Sequence, residues 1–70
     1  MMEYHSDVKE EGVEAFIKFL DENLGIDYDF EIDEGYYTFF YGLDNKEAKG
    51  VSTFLVKNDF YFKHEENEDV

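Results

Sequence analysis

Between Ile26 and Asp33 the chain alternates two kinds of residue without a fault: Ile26, Tyr28, Phe30 and Ile32 are apolar, and Asp27, Asp29, Glu31 and Asp33 are acids. A period of two predicts a strand with one buried face. The register is tightly held, because a slip of one residue would turn the carboxylates into the core. Like charges set side by side on a sheet oppose folding by roughly 0.2–1 kcal/mol each, and a small domain holds only about 5–15 kcal/mol in reserve. Selection for stability alone would intersperse lysines. No residue from Asp27 to Glu34 is basic.

Upstream of this run, Val13, Phe16, Ile17, Leu20 and Leu24 follow the spacing of one buried helical stripe. Gly25 stands where a C-cap glycine belongs. With Ser6 or Asp7 as N-cap and Glu10 three residues beyond Asp7, the helix is expected over residues 7–24, after a loose lead-in at 1–5. Downstream, Glu34-Gly35 reads as a turn and residues 36–41 as a second strand with aromatics on both faces. The polar, glycine-bounded stretch 42–50 reads as a loop, 51–57 as a third strand, Asn58-Asp59 as a tight turn and 60–64 as a short fourth strand. The expected fold is α+β: an N-terminal helix packed on one face of a three- to four-stranded antiparallel meander, in the order α-β-β-β-β and two layers deep. One domain over residues 1–64 and an acidic mobile tail at 65–70 complete the expectation.

Seventy residues allow one domain, and at this size folding buries only about 60% of the surface the unfolded chain exposes. There is no cysteine for a disulfide or a thiolate metal site and no proline, so the fold depends on an apolar core that eight Phe and six Tyr supply. A formal net charge of −13 sets the chain against nucleic acid and anionic membranes. It leaves a basic protein surface as the natural partner, with simple solubility as the other use of such charge. The N-terminal residues are acidic and polar, and no apolar run approaches the roughly 20 residues of a membrane span, so a cytoplasmic protein is expected.

The acids do not match the arrangements in which carboxylates bind metal or catalyse. Asp27, Asp29 and Glu31 fill the first places of a calcium loop, but Ile32 stands where its glycine must be and Thr38 where its bidentate Glu is needed. Paired carboxylates in glycoside hydrolysis need one acid held in a substrate cleft, and so short a chain has no walls to build one. His5 and His64 are far apart and Ser6 and Ser52 are the only serines, which points to no nucleophile with an ordered base. The glycines are spaced as punctuation rather than as a phosphate loop, and the lysines form no basic patch. The expectation is a protein that is not an enzyme, with no catalytic, cofactor or metal residues.

Alternate residues on one face of a strand lie about 6.8 Å apart, so four span roughly 20 Å. A DNA strand presents one phosphate per roughly 3.4 Å of axis, along a longer winding path. In size, charge and the DYDFEIDE row with its neighbouring aromatics, the chain resembles the small acidic DNA-mimic inhibitors of bacteriophage: anti-CRISPR proteins, anti-restriction proteins and inhibitors of uracil-DNA glycosylase. That resemblance implies a non-enzymatic inhibitor in a host bacterial cell, bound to a basic nuclease, glycosylase or CRISPR effector. The expected contact residues are Asp27, Asp29, Glu31, Asp33 and Glu34, with Tyr36 or Tyr37 as aromatic anchors. An antitoxin or immunity protein that plugs a basic nuclease would use the same surface. A self-associating regulatory module is the third reading, and monomer and homodimer both stay open.

Overall fold

The computed structural model describes residues 1–67 and holds two helices on one face of a four-stranded antiparallel sheet, a mixed α+β fold in two layers. The strands are β1 (Met2–Lys9), β2 (Asp29–Asp33), β3 (Tyr36–Leu43) and β4 (Tyr61–Glu66). The helices are α1 (Val13–Phe19), entered through a 3-10 turn at Glu10–Gly12 and left through a π turn at Leu20–Leu24, and α2 (Asn45–Asn58). The α+β class, the four-stranded antiparallel sheet and the two layers are as expected from the sequence, but the strands do not form the expected meander, because β1 lies between β3 and β4. The order of elements is β-α-β-β-α-β instead of α-β-β-β-β.

The strands lie in the order β2-β3-β1-β4 with every neighbour antiparallel, so β1 runs parallel to β2 and β3 parallel to β4. Each parallel couple is joined by one helix and split by a strand of the other couple. Two interleaved β-α-β units of this kind form the ferredoxin-like arrangement, one that hosts many unrelated functions.

Two corrections account for the difference in order. Residues 2–5 of the expected lead-in belong to β1, as does Asp7, expected as a helix cap. Tyr4, Ser6 and Val8 of this strand face the helices, while its pairing partners are β3 on one side and β4 on the other. A serine at the centre of the inward set hides the alternation. The second correction is α2, expected as a loop followed by a strand. Asp44 caps it: its carboxylate accepts from Glu47 N at 2.7 Å and the Glu47 carboxylate accepts from Asp44 N at 3.0 Å, a reciprocal capping box. Ala48, Val51 and Leu55 then recur at helical spacing and pack on the core. Gly50 and the β-branched Val51, Thr53 and Val56 made this segment look extended, but packing outweighs such propensities.

The stripe of the first helix holds. Val13, Phe16 and Leu20 are buried, Ile17 and Leu24 pack beside them, and Gly25 ends the helix in the left-handed conformation at φ 61°. The core closes with Val8 of β1, Phe39, Tyr41 and Leu43 of β3, and Val51 and Leu55 of α2. Phe16 meets Phe39 edge-on at 5.1 Å, and Phe19 stacks on Phe54 at 4.4 Å, fastening the two helices together. Residues 65–66, expected in a mobile tail, complete β4, and Asn67 N donates to Glu3 O at 2.7 Å. The remainder of that expected tail, 68–70, lies outside the described residues.

Two glycines with opposite surroundings test this packing. A Cβ on Gly12 would collide with the side chain of Phe60, whereas one on Gly50 meets nothing within 4 Å. Gly50→Ala, in the interior of α2, is expected to stabilise the domain by about 0.5–1 kcal/mol, and Gly12→Ala to destabilise it by about 1–3 kcal/mol. Urea denaturation of the two variants beside the parent chain measures both, and equal effects would contradict the packing described.

Candidate functional site

Both helices cover the same face of the sheet, so among the described residues the other face has no layer over it. On that open face β2 contributes Asp29, Glu31 and Asp33, β3 contributes Tyr36, Thr38 and Phe40, and β1 contributes Glu3, His5, Asp7 and Lys9. β4 adds Phe62, Lys63 and Glu65. The row of acids is therefore real, and it lies along one margin of the sheet beside a row of uncharged side chains. The regular strand carries three acids, not four: Asp27, itself exposed, precedes β2 in the 25–28 segment, and Glu34 sits in the turn after it. Three acids at strand spacing span about 14 Å.

Tyr36 joins this surface and Tyr37 does not. The ring of Tyr36 meets Phe62 edge-on at 5.9 Å, and Lys9 Nζ lies 5.5 Å from the centroid of Phe62. Lys9 also pairs with Asp59 at 3.6 Å. The Asp33 carboxylate, then partial burial, then Asp7 hold the Tyr36 phenol above its ordinary pKa, so it stays a neutral donor beside the acids. Asp7 in turn accepts a hydrogen bond from Thr38 Oγ1 at 2.8 Å. Tyr37 points to the helix side, where it stacks on Phe30 at 5.7 Å. Phe40 and Phe62, the latter 64% exposed, are aromatic members of the open face that the candidate set lacked. Pairing Phe40 with Asp29 is what places it there; the alternation in YYTFFY left both faces possible.

The apolar half of β2 departs from expectation. Phe30 and Ile32 point to the helix side but remain 45% and 67% exposed, because the helices lie over the centre of the sheet and stop short of its margin. Tyr28 and Ile26, nearer the helix end, are half-buried against the core. Burial, and secondarily the charge of Asp21, raise the Tyr28 phenol.

A second cluster escaped the sequence altogether. Ser6, fully buried on β1, hydrogen-bonds the Tyr41 hydroxyl and, at 2.6 Å, Nδ1 of His64, whose ring stacks on Tyr4 at 5.4 Å. Residues 58 positions apart meet here because β1 and β4 are neighbours in the sheet. A serine beside a histidine has the composition of a nucleophile and its base, but Ser6 has no exposed surface from which to reach a substrate. Its hydroxyl satisfies the core instead: among the described residues, every buried side-chain nitrogen and oxygen has a hydrogen-bond partner. On the open face His5 bonds Asn67 and lies 3.8 Å from Glu65.

Among the described residues no three His, Asp or Glu side chains converge as metal ligands would, and no helix is long and apolar enough to cross a membrane. No protein-family model, curated protein or solved structure matches this chain.

Burial, and secondarily the charge of His5, lower the pKa of His64 below its ordinary value of 6.5. The unfolded chain therefore takes up this proton near pH 6.5 while the folded one still excludes it. The stability that neutral His64 supplies is complete above that pH and is lost as pH falls through the lower folded value. The stability difference between the parent chain and His64→Gln is expected to shrink between pH 7.5 and 5.5 by thermal or urea denaturation. A difference that stays constant or grows would contradict the buried, neutral imidazole.

Proposed function

We propose that this protein is a non-enzymatic inhibitor that imitates the charge of a nucleic-acid strand and occupies the basic DNA- or RNA-binding site of an enzyme. The observation that carries this reading is the row of Asp29, Glu31 and Asp33 along a straight strand, on a sheet face that no described residue covers. A strand holds its side chains in line, and a groove lined with Lys and Arg to follow phosphates would accept such a row.

Charge and aromatics divide the work. The net charge of −13 draws a basic partner from a distance and orients it, raising the rate of association. Tyr36, Phe40 and Phe62 beside the acids supply flat, amphipathic area of the kind that anchors interfaces once water is expelled. Thr38 and Asp7 hold one another in place within the same surface.

The partner can be sought by capture from a bacterial lysate with elution by rising salt, followed by competition between this protein and a DNA or RNA oligonucleotide for the captured enzyme. The double reversal Asp29→Lys, Glu31→Lys is expected to weaken binding at least about tenfold while the circular dichroism spectrum and melting temperature hold or improve, because repulsion along β2 is relieved. Undiminished binding by a folded double variant, or no competition with nucleic acid, would sink the proposal.

A further inference from the structure

The strand that carries the acids is also an open margin of the sheet. Among the described residues β2 is hydrogen-bonded to β3 alone, and its register runs without interruption from Asp29↔Phe40 to Asp33↔Tyr36. The two-residue turn makes Asp33 and Tyr36 the first bonded pair, and bonded pairs alternate along an antiparallel ladder. The backbone N–H groups of Phe30 and Ile32 are thus directed away from β3, toward the free margin. The opposite margin is differently made. β4 shifts register between Asp7 and Val8, where Phe62 is inserted, and it carries Lys63 and Glu65 on one face and Glu66 on the other. Bulges and mixed charges of this sort are how sheets blunt an edge. β2 has no bulge and no lysine, and it leaves Phe30 and Ile32 exposed on the face opposite its acids.

A second copy of this chain is a poor occupant. Symmetric antiparallel pairing of β2 with itself sets like face against like face, which brings Asp29, Glu31 and Asp33 of one copy against the same residues of the other. The complementary occupant has the opposite pattern: positive on one face, apolar on the other.

We propose that β2 is a docking edge for an extended basic segment of the partner protein, which adds to the sheet as a fifth strand. Lys or Arg side chains of that segment lie opposite Asp29, Glu31 and Asp33, apolar ones cover Phe30 and Ile32, and its backbone carbonyls accept from the amides of Phe30 and Ile32. This rests on the inhibitor reading and deepens it: the blocked site contributes a strand as well as positive charge.

The probe is a short peptide alternating Lys and Val, with a control of identical composition in which the lysines and valines form two blocks. Amide hydrogen exchange followed by NMR on the whole protein is expected to show slowed exchange at Phe30 and Ile32 with the alternating peptide only, and its affinity to exceed that of the control by about tenfold. Ile32→Pro removes an amide that is directed away from β3 and is expected to abolish that preference. Equal binding of both peptides without protection of these amides would overturn the edge mode. That result would leave the charge-mimic reading to stand or fall on the double reversal at Asp29 and Glu31. Protection of the same amides without peptide, growing with protein concentration, would overturn it in favour of self-pairing. Should the proline variant not fold, amide protection in the parent chain decides the matter alone.

Discussion

The hydroxyl of Ser6 is the point on which this small structure turns. It lies with no exposed surface in the middle of β1, between β3 and β4, and takes its partners from one residue of each, Tyr41 and His64. A polar group so placed is tolerated only while its hydrogen bonds are made. It ties together strands that belong to different β-α-β units, and it requires that β4 arrive in register with β1. The bulge at Phe62 fits the same demand. It absorbs one extra residue so that His64 on one side of the sheet and Phe62 and Lys63 on the other all keep their places.

The distribution of charge follows from the sheet order. A row of like charges in the centre of a sheet would face two flanking strands. At the margin, β2 has one neighbour, and the side chains beside the acids are Tyr36, Thr38 and Phe40, all uncharged. Repulsion is thereby confined to the row itself. The same marginal position leaves the apolar side of β2 beyond the reach of the helices, so one strand presents acid to one side and hydrocarbon to the other. Its two unusual properties have one geometric origin.

Much of this was legible in the residues, and the failures have physical causes. The stripe from Val13 to Leu24 and the glycine that ends it were readable because period and cap agree. The alternation from Ile26 to Asp33 announced a strand and its register, but no local pattern says whether a strand is central or marginal. That is why Phe30 and Ile32 belong to the exposed surface and not to the core. β1 was hidden because its inward set is Tyr4, Ser6 and Val8, and a buried serine makes sense only once Tyr41 and His64 stand beside it. The helix at Asn45–Asn58 was hidden by Gly50 and its β-branched residues, although Asp44 and Glu47 stand at the capping-box spacing immediately before it. Of the surface residues, the acids could be named from sequence, and Tyr36 could be separated from Tyr37 only by the pairing of β2 with β3.

The interleaving of the two units also governs how the domain can form and come apart. β1 finds both of its neighbours far along the chain, pairing Met2 with Leu43 and Tyr4 with Glu66. Neither half of the sequence holds a complete set of partners for its own strands, so neither is a folding unit. Such long-range pairing slows folding, because the loops must close before any of the contacts repay the lost chain entropy. It also makes the fold indivisible: melting either strand that flanks β1 opens the Ser6 cluster. The molecule is in effect a single cooperative latch, closed by its last strand upon its first.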